Sequence, residues 1–274
     1  MRGPLFAELR RALEADEPVA LATVTDRADG VGDETLLASK LIVQPGEPVL
    51  GTLGHPELDR VVARDALAAL DLGVTVTRRY GPHGEARRED VAVLLEVFVR
   101  RARLVLFGAV DFTRALVEVG RVLGYAVTVC DARAVFATDA RFPMADEVVV
   151  DWPDRYLARV GADLGPRDAV CVLTHDAKFD VPAIMAALAT RVGYLGAMGS
   201  RRTHEHRWKR LLEAGASEPE LRARLMSPIG LDLGARTPEE TAVSIFAEII
   251  AVRTGRASGP VGPLRDGSGS IHAR

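Results

Sequence analysis

Two cysteines in 274 residues are too few for the disulfide framework that staples small secreted domains. Both Cys130 and Cys171 fall inside apolar runs that read as core strands, so they are expected as buried small hydrophobes in a reducing compartment. A formal net charge of -3 at pH 7 gives no reason to expect nucleic acid as a partner. Long apolar runs are also missing: stretches such as 91–99 are broken by charge well short of the roughly 20 residues of a membrane span. The opening MRGPLFAELRRALEAD carries acids and lacks the apolar core of a leader. A cytoplasmic protein away from the membrane is expected. GxSxG, the P-loop and HExxH are absent, and no serine or cysteine has a base at a recognisable spacing. Hydrolysis and phosphoryl transfer therefore have no motif behind them, and no catalytic residue is assigned.

What is present is ordinary globular composition, 48% hydrophobic and 27% charged, in a chain long enough for one or two cored domains. The organising stretch is RLVLFGAVDFTRALVEVGRVLGYAVTVCD, residues 103–131. Residues 104–107 form a short apolar run of the kind buried on both faces of a parallel sheet, and Gly108 follows where a sharp turn leaves it. Phe112, Ala115, Leu116, Val119, Val122 and Leu123 then recur at helical spacing, and Gly124 closes the helix. Residues 125–130 make a second strand ending at Asp131, about where nucleotide-binding α/β domains place the acid that meets a ribose hydroxyl. The turn departs from the dinucleotide fingerprint. Val110 stands where glycine lets the pyrophosphate approach, and Asp111, read as the helix N-cap, puts a negative charge at the phosphate seat. NAD(P) binding is therefore doubtful while the βαβ fold is not.

Before this stretch, the pattern reads as a helix over 5–13 with Leu5, Leu9 and Leu13 on one stripe, then strands at 19–25, 38–43 and 49–53. A helix at 57–70 and strands at 74–80 and 90–99 follow. Without βαβ alternation this suggests a small α+β domain over 1–101. From 102 to 256 the alternation is regular, with strands at 147–150, 169–173 and 192–197 and helices at 154–160, 181–189, 201–213 and 237–252. The expected fold is α/β, a Rossmann-like, doubly wound, mostly parallel sheet preceded by the small α+β domain. Residues 257–274, rich in Gly, Ser and Pro, read as a disordered tail.

Ligands in such sheets collect outside the carboxyl ends of the strands. The loops there hold Asp131 and Arg133, then His175 and Asp176, then Gly199, Ser200, Arg201 and Arg202. Asp180 follows at the start of a helix, either as part of the same functional edge as His175 and Asp176 or as that helix's cap, with His175 hydrogen-bonded within the loop. Ser200 reads as another N-cap, with two arginines in its first turn. Cations there oppose the helix dipole, which suits either surface arginines or an anion seat where the guanidinium forks and the helix end hold a phosphate. His204 and His206 sit two apart, about 200° round a helix, and cannot share a metal as an i, i+4 pair can. No metal site is assigned.

LTHDAKFDVPAIMAAL, YLGAMGSRRTHEHRWKRL and PIGLDLGARTPEETAVSIFAEIIAVRTG resemble the C-terminal Rossmann-like domain of the XdhC/CoxI family over residues 103–255. These are the accessory factors of xanthine dehydrogenase, carbon monoxide dehydrogenase and related molybdenum hydroxylases. The resemblance implies a cofactor-binding chaperone rather than a catalyst, one that holds the molybdenum cofactor, assists its sulfuration and delivers it to a molybdenum hydroxylase apo-enzyme. A sulfur donor is an implied partner and a homodimer is plausible for the α+β half. By position, the residues implied for the cofactor are Gly108, Asp131, Arg133, His175, Asp176, Gly199 to Arg202, Gly230 and Asp232. The family's glycine-rich GAGH-type turn is Gly108, Ala109, Val110 and Asp111 here, and its GGCVE is GTLGHPELD, with Glu57 at the cysteine position. The chain thus reads as a divergent member. The rival readings are an NAD(P)-dependent oxidoreductase and a non-catalytic interaction scaffold.

Overall fold

A computed structural model describes residues 3–28, 30, 36–85, 88–256 and 261–262. Nearly all of the expected tail, 257–274, lies outside the described residues. The chain forms two compact units, Met1–Arg100 and Arg101–Arg274.

The first unit is a five-stranded antiparallel sheet with one helix on each face. Its elements are α1 (Pro4–Glu14), β1 (Val19–Arg27), β2 (Lys40–Val43), β3 (Leu50–Thr52), α2 (Pro56–Leu72), β4 (Val76–Tyr80) and β5 (Val91–Phe98), in sheet order β3-β2-β1-β5-β4. Alternation along β1 decides which helix covers which side. Ala20, Ala22 and Val24 pack under α2 with Leu58, Val62 and Ala66. Val19 and Leu21 pack under α1 with Leu9 and Ala12. The α1 stripe expected at Leu5, Leu9 and Leu13 is displaced, because Leu13 is 46% exposed and Ala12 is fully buried.

The second unit comprises β6 (Arg103–Phe107), α3 (Asp111–Val122), β7 (Ala126–Cys130), β8 (Glu147–Val149), α4 (Pro153–Val160), β9 (Ala169–Val172) and α5 (Ala177–Leu188). It continues with β10 (Tyr194–Ala197), α6 (Arg201–Glu213), α7 (Glu218–Arg224), β11 (Leu225–Met226) and α8 (Pro238–Arg253). The order β11-β10-β9-β6-β7-β8, parallel throughout, is the doubly wound Rossmann order with the first strand central. In β6, Leu104 and Leu106 pack under α3 and α8 beside Leu116, Phe246 and Ile249. Val105 and Phe107 face α4 and α5 beside Tyr156 and Ile184. That is why the run shows no polar alternation.

Two helix starts differ from expectation. The cap of α3 is Val110, not Asp111, which occupies the first helical position. The Thr113 hydroxyl supplies what a capping side chain would, accepting from Val110 N–H at 3.1 Å and donating to the Gly108 carbonyl at 2.6 Å. Helix α5 starts four residues earlier than its apolar pattern suggests, capped by Asp176, whose carboxylate accepts from Lys178 N–H. Asp180 is inside the helix. The short α7, capped by Ser217, and β11 carry too few residues to show a period, and periodicity does not reveal them.

Candidate functional site

The loops that end the parallel strands meet around Thr174. Gly108 has φ +113, and a Cβ there would lie 2.7 Å from Thr174 Cγ2, so only glycine lets the loops after β6 and β9 close on each other. Beside it, Asp131 is buried and turned inward. Its carboxylate accepts from Ala109 N–H at 2.8 Å and from Arg133 through the backbone N–H, Nε and Nη2 at 2.9, 2.9 and 2.7 Å. Burial raises this carboxyl, but Arg133 and the two backbone donors outweigh it and hold the carboxyl below its ordinary value. Arg141 closes the same turn from outside, donating to the Ala109 carbonyl at 3.3 Å. The N–H that opens a dinucleotide's phosphate seat thus already has an intramolecular acceptor.

One strand over, a buried ion pair joins three loops. Asp180 and Arg207, each with side chains 3% exposed, meet at 2.7 Å. Arg207 also donates to the Met198 carbonyl at 2.8 Å and to the Ser227 hydroxyl at 3.3 Å, while the Thr174 hydroxyl donates to Asp180. The loops after β9, β10 and β11 are therefore held by one guanidinium. Arg207 does not stand out as a site residue in the sequence, and Asp180 does so only as a neighbour of His175 and Asp176. The signal that could have found them is helical spacing: Asp180 precedes Ala183 and Ile184, and Arg207 precedes Leu211, by the three or four residues that place each on a buried face.

Above this pair, between α5 and α6, lies a cleft of about 250 Å³ lined by His175, Ala177, Asp180, Val181, Arg202, Thr203, His206, Arg207 and Arg210. Three arginines and two histidines face one carboxylate, and that carboxylate is committed to Arg207. Arg202 and Arg210 have no carboxylate partner among the described residues. The first turns of both helices also open onto the cleft, adding partial positive charge. What the arrangement can do is hold an anion.

Of the sequence-derived residues, His175 and Arg202 line this cleft. Asp176 borders it as the α5 cap. The Asp131 carboxylate, through its hydrogen bonds and charge, raises Arg133 above its ordinary value against burial, and the charge of Asp176 adds to this. Gly199 has φ +151 against the Thr203 side chain, and Ser200 caps α6 by accepting from Thr203 N–H at 3.1 Å. Arg201 is exposed and does not line the cleft. Gly230, at φ +97, donates its N–H to Glu248 at 2.8 Å, and Asp232 is exposed. Cys130 is fully buried, with Sγ 3.5 Å from the Asp151 carbonyl oxygen. Burial, then the charges of Asp151 and Asp131, push its thiol up to about 12. Among the described residues, no group of three or more His, Cys, Asp or Glu is placed to hold a metal, and no helix is long and apolar enough to cross a membrane.

In the first unit, GTLGHPELD forms a turn closed by Asp59, which accepts from Leu53 N–H at 2.6 Å and Thr52 Oγ1 at 2.7 Å. His55 Nδ1 caps α2 by accepting from Glu57 N–H, and Glu57 pairs with Arg60 at 2.9 Å. This turn carries no thiol.

The profile described as the XdhC Rossmann domain matches residues 104–249, and that of the XdhC and CoxI family matches residues 12–81. The chain belongs to the XdhC/CoxI family. Among curated relatives of this XdhC-type chain, the uncharacterized Escherichia coli protein YqeB is 27% identical over 93% of the chain and 47% of its own length. A Bacillus subtilis protein named as a probable xanthine dehydrogenase subunit is 33% identical over 67% of the chain and 52% of its own. The Escherichia coli molybdenum cofactor insertion chaperone PaoD is 36% identical over 36% of the chain and 31% of its own. The chain thus spans about half, or less, of the length of these relatives. A crystal structure described as a xanthine dehydrogenase from Bacillus halodurans shares the fold at TM-score 0.51 and 21% identity, covering 92% of this chain and 97% of that one.

Proposed function

We propose that this chain is an accessory protein of molybdenum hydroxylase maturation, one that holds the molybdenum cofactor by its phosphate and presents it to an apo-enzyme in the cytoplasm. The observation that carries this reading is the cleft between α5 and α6, where Arg202 and Arg210 are cations without a carboxylate partner among the described residues. The fit to a phosphate is chemical. Guanidinium forks match phosphate oxygens two by two, and the two helix starts supply further donors. At 250 Å³ the cleft is smaller than the roughly 300–1,000 Å³ of sites that enclose a whole small molecule, so it would seat the charged end and leave the rest outside. Bound there, the cofactor brings its own molybdenum chemistry, and this chain's residues bind, orient and neutralise.

Sulfuration by this chain through either cysteine is not part of the proposal. Cys130 and Cys171 are both buried, and burial pushes both thiols up, away from the thiolate that sulfur transfer needs. The Rossmann strand order favours a second reading, an NAD(P) enzyme, but Asp131 occupies the Ala109 N–H that a pyrophosphate would use. Titrating the purified chain with molybdenum cofactor and, separately, with NAD and NADP distinguishes the readings. Phosphate-dependent cofactor retention supports the first, saturable nucleotide binding the second, and neither leaves an interaction scaffold.

A further inference from the structure

Arg202, His206 and Arg210 follow one another at four-residue intervals on α6, and all three line the cleft. Side chains at that interval form a row along one face of a helix. At 1.5 Å per residue, the backbones of the two arginines are about 12 Å apart along the axis. One phosphoryl group engages one guanidinium fork through two oxygens. A second fork, rooted about two turns away, is then left for another anionic group. Several exposed helical arginines elsewhere pair with an acid three or four residues away, as in Arg60–Glu57, Arg114–Glu118 and Arg222–Glu218. Arg155, Arg201 and Arg253 form no such pair among the described residues, but none of them lines the cleft. Arg202 and Arg210 each have an acid three residues on, Glu205 and Glu213, and neither pair forms among the described residues. Among the described residues, Asp180 is the one carboxylate lining the cleft, and it is bound to Arg207, so it leaves the row's charge uncompensated.

We propose that the row reads a diphosphate. One phosphoryl group sits at Arg202 and the start of α6, the next reaches Arg210, and His206 lies between them with His175 on the opposite wall. This rests on the reading of the cleft as an anion seat and narrows its ligand class to a diphosphate ester or free diphosphate.

Isothermal titration of the full chain with inorganic phosphate and inorganic pyrophosphate, at matched ionic strength, tests it. Pyrophosphate is expected to bind at least about tenfold more tightly, the yield of one added charge-assisted contact. Arg210→Ala should erase that advantage while orthophosphate binding persists. Lys209→Ala, an equal loss of charge off the row, should leave the advantage in place. Circular dichroism checks that each variant is folded. Equal affinity for the two anions, or loss of the advantage in Lys209→Ala as well, overturns the diphosphate assignment while saturable orthophosphate binding keeps the seat. No saturable binding of either anion removes both.

Discussion

The side chains of Asp180 and Arg207 are each only 3% exposed, so neither charge can be removed alone without stranding its partner. Asp180→Ala is expected to cost about 3–5 kcal/mol of stability, the usual consequence of breaking a buried pair, read as a lowered urea midpoint. A change below about 1 kcal/mol would mean that the guanidinium finds another acceptor. Cys130 supplies the complementary case of a group expected to be silent. With its thiol pushed up to about 12, iodoacetamide at pH 8 should leave it unmodified in the native protein and label it after denaturation. Rapid labelling of native Cys130 would reopen sulfur transfer. At this scale the sequence is partly legible. His175 announces itself by lying in a loop at a strand end, and Arg202 by opening the helix that follows one. Asp180 and Arg207 sit on helices among apolar neighbours, where a charged residue looks like a cap or a solvated face until its partner, 27 positions away, is seen. Asp131 is legible in place but not in orientation, because nothing in a run of residues says whether a carboxylate faces a ligand or its own backbone.

The turn after β6 determines what the central strand can offer. Gly108→Ala introduces a Cβ at positive φ against Thr174 and should destabilise by more than about 1 kcal/mol, measurable as a lower Tm. Restoring a nucleotide-type turn with Val110→Gly and Asp111→His is expected to gain no NAD affinity, since Ala109 N–H still serves Asp131 and Arg141 still covers the turn. Saturable NAD binding by that double variant would show that Val110 and Asp111 alone were the obstacle. Strands and long helices are readable because burial on both faces leaves unbroken apolar runs and the helices keep their period. The α5 start is not, since Phe179 is the one large apolar residue between the Asp176 cap and Val181, too little to show a helical period.

Over the whole chain, the regular alternation after residue 102 corresponds to the parallel sheet and its absence before residue 101 to the antiparallel one, in which β1 pairs with both β2 and β5 and α2 carries the chain from β3 at one edge to β4 at the other. Acid stability should depend on the second unit's carboxylates. Asp131 and Asp146 are both held below their ordinary value, burial opposing and arginine and backbone donors prevailing. Each therefore adds stability that is present above about pH 4, near the unfolded value, and is lost as pH falls through the folded value. Urea midpoints should be flat from neutral pH down to about 5 and fall below about 4, with Asp131→Asn flattening the fall. The proposed function rests at both scales on the proposed anion seat, which is tested most directly by the affinity of the purified chain for molybdenum cofactor before and after Arg202→Ala with Arg210→Ala. The folded double variant is expected to bind at least about tenfold more weakly, and unchanged affinity would contradict the seat.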